Sequence, residues 1–234
     1  MVVLDSAEPL ATYLTIEDWS SDLAKNAYSR IRIGSQAKRS DLLKIALMSS
    51  ENRASYNLGV HHPGGMKAFV AAMNAKAVSL GMGSTTFVDP MGLSPENRST
   101  ASDLSKMIRA AYSYDVIRSF STTSQHTVNF KGPRYQLGYG NTNPLISSTT
   151  WEVELTKTGY LTEAGRCLVM VTQAQDRPLA MVMLNSLGKR SPLGDAGRML
   201  RWIESGAESS IAPAAKDYEK QMLKQHGLSN TQGE

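Results

Sequence analysis

Several absences narrow what this chain can be. It carries one cysteine, Cys167, so no intrachain disulfide can form and a disulfide scaffold is excluded, while the compartment stays open. No stretch approaches the ~18 consecutive apolar residues of a membrane-spanning helix. The opening Met1-Val2-Val3-Leu4 stops at Asp5 and has no basic region before it, so it does not read as a secretory signal. His61 and His62 are adjacent, but no further His or Cys follows at ligand spacing, and His126 and His226 are isolated. Neither a metal site nor a cofactor is therefore expected. Basic residues exceed acidic ones by only 25 to 21, and they are scattered apart from short pairs such as Lys38-Arg39 and Lys189-Arg190. A nucleic-acid binder gathers its cations into a stripe with aromatics between, so no nucleic-acid partner is expected. The net charge of +4 suits an anionic substrate or surface.

What is present is a globular composition, 41% hydrophobic and 20% charged over 234 residues, long enough to bury a real core. From Asp41 to Leu58, Leu42, Leu43, Ile45, Ala46 and Leu47 follow helical spacing, with Ser40 as the N-cap. Gly64 to Leu80 predicts a second helix that Gly81 ends. The segment 85–95, with Asp89-Pro90 and Gly92, reads as a structured loop. Thr100-Ala101-Ser102-Asp103 resembles a capping box with Asp in place of Glu, opening a third helix through Leu104, Ile108 and Ala111. After Ser121 the pattern turns to strands: Thr127–Phe130, Trp151–Thr158, Cys167–Thr172 and Leu179–Leu184. Asp176-Arg177-Pro178 reads as the turn between the last two. Cys167 heads an apolar run and is expected to be a small buried hydrophobe. A final amphipathic helix carries Leu200, Trp202 and Ile203. The class is α+β: one domain over 1–205, then a polar, mobile tail over 206–234 with helical character near Tyr218 to Leu223.

Two short motifs carry chemistry. Ser50-Glu51-Asn52 is an S-x-N near the end of the first helix, and Lys157-Thr158-Gly159 is a K-T-G on a strand, followed by Tyr160. Each alone has an ordinary reading: Ser50 and Asn52 as helix caps, Lys157 as a solvated strand residue, Gly159 as a bulge. Together they match two of the three motifs of the serine acyl-transferases, whose set is S-x-x-K, S-x-N and K-T-G. The residue types suit that chemistry. A serine hydroxyl can relay a proton because it both donates and accepts. A lysine supplies a fixed positive charge for a substrate carboxylate, and threonine adds a donor to it. Glycine lets the strand backbone lie flush against a substrate where any Cβ would obstruct. The backbone N–H of Tyr160 is then the strand-side oxyanion donor.

The likeness extends beyond triplets. Ala46-Leu47-Met48-Ser49-Ser50-Glu51-Asn52-Arg53-Ala54, His62-Pro63-Gly64-Gly65, Ala72-Met73-Asn74-Ala75-Lys76-Ala77, Asn141-Thr142-Asn143-Pro144 and Leu155-Thr156-Lys157-Thr158-Gly159-Tyr160 carry it. So do Ala164-Gly165-Arg166-Cys167-Leu168-Val169-Met170 and Gly194-Asp195-Ala196-Gly197-Arg198. These stretches resemble the serine-type D-alanyl-D-alanine carboxypeptidase family, and within it the penicillin-binding protein 7-like D-alanyl-D-alanine endopeptidases of Gram-negative bacteria. The resemblance implies the penicillin-binding protein/β-lactamase-like transpeptidase fold, a helical region on an antiparallel sheet. It makes Ser50 and Asn52 the S-x-N residues and Lys157 the K-T-G lysine, with Thr158, Gly159 and Tyr160 against the substrate. The implied substrate is the D-alanyl–diaminopimelate cross-link of peptidoglycan, bound through its stem peptides, with β-lactams as acylating inhibitors.

The family's S-x-x-K is not where the resemblance requires it. In the family a segment like Met1-Val2-Val3-Leu4-Asp5 continues the helix that bears the nucleophile. The sequence is thus expected to begin just past that serine and lysine, without the N-terminal strands and signal peptide of a periplasmic parent. Ser35-Gln36-Ala37-Lys38 falls in a turn and Ser186-Leu187-Gly188-Lys189 in a loop, so neither is expected to serve. The expectation is a chain inactive as written; the alternative is a non-catalytic remnant that still recognises muropeptide through Lys157, Thr158 and Asn52. A class A β-lactamase would need an E-x-x-L-N string, which the sequence lacks.

Overall fold

The computed structural model describes residues 1–19, 27–225 and 227; His226 lies outside them. A helical layer comes first: α1 (Val2–Asp5), α2 (Arg39–Ser49), α3 (Asn52–Val60), α4 (Gly65–Ser79), α5 (Ala101–Tyr112) and α6 (Asp115–Ser121). Two small antiparallel pairs lie beside it, β1 (Tyr13–Thr15) with β2 (Gln36–Lys38) and β3 (Gln125–Phe130) with β4 (Tyr135–Gly140). The main sheet is antiparallel in the order β5 (Val153–Leu161), β6 (Gly165–Ala174) and β7 (Arg177–Ser186). Helix α7 (Ser191–Ser205) covers its far face, and α8 (Pro213–Gln225) follows. The class is α+β, as expected. Among the described residues no helix is long and apolar enough to cross a membrane.

The helix expected over 41–58 is two helices, divided at Ser50. Its φ of 53° and ψ of 40° put Ser50 in the left-handed region, which a continuous α-helix excludes. Glu51 then caps α3 by accepting from the Arg53 amide at 3.1 Å. Ser40 does not cap α2. The first two amides of α2 donate instead to backbone carbonyls, Arg39 to Thr12 at 2.8 Å and Ser40 to Leu10 at 2.9 Å, so no side-chain cap is called for. Thr100 caps α5 by accepting from the Asp103 amide at 3.1 Å. Asp103 does not complete the box; its carboxylate turns to the Ser84 amide at 2.8 Å and the Thr85 hydroxyl at 2.9 Å.

Strand β4 and helix α6 have no clear sequence signal. β4 reads Tyr-Gln-Leu-Gly-Tyr-Gly, and its two glycines weaken any intrinsic strand preference; pairing with β3 forms it. The β6–β7 turn centres on Gln175 and Asp176, both at positive φ, one residue earlier than expected. Two positive φ values match the twist of a tight hairpin. Pro178 therefore lies inside β7, tolerable because β7 is an edge strand of this sheet.

The near-continuous apolar runs of β6 and β7 follow from burial on both faces. Leu168, Met170, Met181 and Met183 point toward α7, where they cluster with Ala196, Leu193 and Leu200. Val169, Val171, Ala180, Val182 and Leu155 point the other way, against Ile108 of α5 and Ile117 of α6. Register agrees with parity, since Met170 faces Met181 while Val169 faces Val182. A larger core, with Leu42, Ile45, Met48, Leu58, Phe69, Val128 and Phe130, fills the helical layer against β3 and β4.

Candidate active site

Along β5 the odd positions Leu155, Lys157 and Gly159 share one face, the face toward the helical layer. Leu155 is buried there against α5 and α6. Two residues on, Lys157 reaches the point where α2 ends, and its ammonium donates to the Ser50 hydroxyl, 107 residues away in sequence, and to the Thr158 carbonyl at 2.7 Å. Crowding by the surrounding protein disfavours the charged amine and lowers the Lys157 pKa to about 8.

A short connection holds the two motifs together. The Thr142 amide donates to the Met48 carbonyl at 2.9 Å, and the Ser49 hydroxyl donates to the Gly140 carbonyl at 2.6 Å, so the last turn of α2 is tied to the chain leaving β4. One residue on, the buried Asn143 donates to the Thr156 hydroxyl at 2.9 Å, and the Thr158 hydroxyl donates to that of Thr142 at 2.7 Å. Thr142 and Asn143 thus bridge α2 to β5. The local signal for this bridge in the sequence is the turn-forming Asn141-Thr142-Asn143-Pro144 between the two motif-bearing elements.

Ser50, Asn52, Lys157, Thr158, Gly159 and Tyr160 all line one cleft of about 1010 Å³. Tyr160 is 56% exposed at the rim, with the Arg166 guanidinium 3.8 Å over its ring. Asn52 is half-buried and, among the described residues, its amide makes no hydrogen bond within the protein, which leaves it available to a ligand. Glu51 points away from the cleft, behind the motif; burial raises its pKa despite hydrogen bonds from Ser29 and the Arg53 amide. Cys167 departs from expectation: it is half-buried and lines the cleft instead of the core. It faces Gly159 across the ladder, and a glycine leaves its side chain uncovered.

The other serines of S-x-x-K strings lie elsewhere. Ser35 is fully buried in the turn before β2, donating to the Arg32 carbonyl at 2.6 Å and bonded to the Tyr135 hydroxyl at 2.9 Å. Ser186 ends β7 beside Asp195 at 3.4 Å. Neither lines the cleft, where Ser50 is the one serine among the described residues. His61 bonds the Thr15 carbonyl at 2.7 Å and His62 packs edge-on against Phe69. No group of three or more potential metal ligands occurs among the described residues.

A helical layer on an antiparallel sheet, with an S-x-N serine against a K-T-G lysine, defines the penicillin-binding transpeptidase fold. The DD-transpeptidase of Streptomyces K15 superposes with a TM-score of 0.78 at 26% identity, over 86% of this chain and 82% of that one. A D-alanyl-D-alanine carboxypeptidase from Mycobacterium tuberculosis superposes with a TM-score of 0.69 over 85% of this chain and 78% of that one. The family model for D-alanyl-D-alanine carboxypeptidase matches residues 1–188. The chain is 47% identical over 228 residues to the D-alanyl-D-alanine endopeptidase of Pseudomonas aeruginosa, covering 97% of this chain and 74% of that protein. It is 46% identical to that of Escherichia coli, covering 96% of this chain and 73% of that protein. The chain belongs to the D-alanyl-D-alanine carboxypeptidase family of serine-type peptidases, on its endopeptidase branch.

Proposed function

We propose that the cleft recognises the D-alanyl-D-alanine end of peptidoglycan stem peptides in the bacterial periplasm. The observation that carries this reading is the contact between Lys157 and Ser50, a cation and a hydroxyl brought together from separate elements at the floor of an open cleft. Lys157 holds the substrate carboxylate, and the Thr158 hydroxyl adds a second donor to it. Gly159 lets the β5 backbone lie against the peptide, and the Tyr160 amide points at the developing oxyanion. Ser50 relays the proton toward the leaving amine, and the Asn52 amide bonds the peptide backbone. β-Lactams, which carry the same carboxylate beside a strained amide, enter by the same contacts.

Acyl transfer also needs a nucleophile beside that relay. Ser50 is already engaged by Lys157 as the relay, and neither Ser35 nor Ser186 reaches the cleft. We therefore read the described residues as supplying recognition and proton relay, binding muropeptide without themselves providing the nucleophile. The test has two arms. A synthetic pentapeptide ending in D-alanyl-D-alanine should bind saturably in calorimetry, while a fluorescent penicillin should leave no covalent band after denaturing electrophoresis. Absence of peptide binding defeats the recognition reading. A covalent band that vanishes on substituting Ser35, Ser50 or Ser186 defeats the assignment of roles.

A further inference from the structure

The turn that presents Ser50 to Lys157 is not one its own sequence favours. Spacing predicts a single helix over 41–58, and the glutamate after Ser50 is a strong helix former. Helices that end on a left-handed residue usually place glycine there. Here a serine takes φ 53°, a conformation disfavoured for any residue with a Cβ. Upstream, the turn is held by the Glu51 backbone amide, which donates to the Ile45 carbonyl at 3.2 Å. Downstream, the Glu51 side chain holds it. Glutamate is not among the preferred N-cap residues, yet its carboxylate accepts from the Arg53 amide at 3.1 Å and so starts α3 afresh at Asn52.

That carboxylate is anchored from behind the motif. It accepts from the Ser29 hydroxyl, whose oxygen accepts in turn from the Ile31 amide at 3.2 Å. Arg53 closes the same junction by donating to the Ile31 carbonyl at 2.5 Å. Arg30, which donates to the Gly138 carbonyl of β4 at 2.6 Å, Arg53 and the buried Tyr139 are the other ionisable groups near it. Glu51 thus ties residues 29–31 to the first turn of α3. Burial raises its pKa despite these bonds, so the ionised carboxylate is kept where its charge is disfavoured. A left-handed serine, an unusual cap and a crowded carboxylate break three local rules at adjacent residues, as is expected where a functional geometry is being held.

We infer that Glu51 is a positioning residue: anchored on the Arg53 amide and the Ser29 hydroxyl, its side chain fixes the left-handed turn at Ser50 and so keeps the Ser50 hydroxyl against Lys157. Without those anchors the chain is free to run on helically from α2 into α3, which carries Ser50 away and lets water reach the Lys157 ammonium. The inference rests on the stem-peptide reading above only for its affinity arm. The test compares Glu51→Ala with Glu51→Gln in the full chain. Glutamine keeps an acceptor for the Arg53 amide and offers an N–H to the Ser29 oxygen, whereas alanine keeps neither.

Titration of Lys157, followed by NMR of its side-chain carbon signals, should centre at about 8 in the unsubstituted protein. In Glu51→Ala the midpoint should climb to about 9 as burial is relieved, and in Glu51→Gln it should not rise. Loss of the carboxylate charge alone would lower it in both variants, so the sign separates repositioning from electrostatics. Affinity for a synthetic peptide ending in D-alanyl-D-alanine should fall about tenfold in Glu51→Ala and less than about threefold in Glu51→Gln, following the fraction of molecules with Ser50 in place. A Lys157 midpoint that fails to rise in Glu51→Ala, whatever becomes of thermal stability, overturns the proposal, and so does an equal rise in both variants. If the unsubstituted protein binds no such peptide, the stem-peptide reading falls, while the Lys157 midpoints still decide the role of Glu51. Should Glu51→Ala fail to fold, Ser29→Ala removes one anchor, and an unchanged Lys157 midpoint in that variant overturns the proposal.

Discussion

The two faces of the main sheet are built from the same three strands and do different work. Toward α7 the face is mostly apolar: Leu168, Met170, Met181 and Met183 close over Ala196, and the two buried hydroxyls beside them are satisfied, Thr156 by the Asn143 amide and Thr172 by donating to the Glu152 carbonyl at 2.9 Å. Toward the helical layer the face changes along β5, from buried Leu155 to Lys157 and then Gly159. Spacing is identical on both faces. The difference lies in what covers them, because α5 and α6 pack over the first part of that face while the Lys157–Gly159 part looks into the cleft. A strand can thus be core at one residue and reactive surface two residues later.

The widest separation between the faces should come from Met170→Ala. Met170 is fully buried, and truncating such a side chain costs about 2–5 kcal/mol through lost burial and the cavity left behind. Urea unfolding should register that loss, while peptide affinity of the folded fraction stays within twofold. A large affinity change would mean that the α7 face is not insulated from the cleft.

Lys157→Ala should do the reverse. Removing the cation that meets the substrate carboxylate is expected to weaken peptide binding on the order of a hundredfold. Stability should hold or rise, since a crowded ammonium is being removed. Wild-type affinity in this variant would take Lys157 out of recognition. The same lysine gives a pH signature with two opposite signs. Its folded-state pKa lies at about 8, below the 10.5 of a free lysine, so the native protein releases this proton first. Affinity for the carboxylate peptide should be full below pH 8 and fall by up to tenfold per unit above it. Between pH 8 and 10.5 the unfolded chain holds more protons at this site, so this residue's contribution to stability rises with pH. A flat affinity profile across pH 7–10 would contradict the burial-lowered amine.

Smaller effects sharpen the boundary between the two faces. A Cβ on Gly159 would meet only Cys167 Cβ at 3.8 Å, an ordinary contact. Gly159→Ala should therefore fold with unchanged thermal stability, yet lose about tenfold in peptide affinity, because the added methyl stands between β5 and the peptide backbone. Loss of stability instead would make Gly159 a structural residue. Thr142→Ala removes hydroxyl contacts to Thr158 and to the Met48 carbonyl at 3.3 Å but keeps its backbone anchor. A cost of about 1 kcal/mol in unfolding and a two- to threefold loss of affinity are expected.

Much of this was legible in the chain. The helical and strand halves, the Thr100 cap, the loop at 85–95 and both motifs follow from spacing and residue chemistry that act within a few positions. The errors were of one kind. The helix expected over 41–58 breaks because Ser50 takes a left-handed conformation, and the cluster Ser49-Ser50-Glu51-Asn52 was the only warning. Ser40 was expected to cap α2, but the backbone of residues 10–12 had already taken that part. The apolar neighbours of Cys167 predict a core position, whereas the residue that uncovers it, Gly159, sits on another strand.

The sequence by itself determined which residues carry hydroxyl, charge and backbone freedom, and which alternate faces of each strand they occupy. Hydrogen bonding and side-chain periodicity decide those matters locally, with no knowledge of the rest of the chain. Only the tertiary structure decided that Ser50 and Lys157 meet. Their contact depends on α2 ending where it does, on Thr142 and Asn143 tying that end to β5, and on α5 and α6 leaving the end of the strand uncovered. Asp89 belongs to the same class. Its residue type predicts a turn, but only the folded loop supplies five donors to its carboxylate, since those donors converge through geometry that no local pattern encodes.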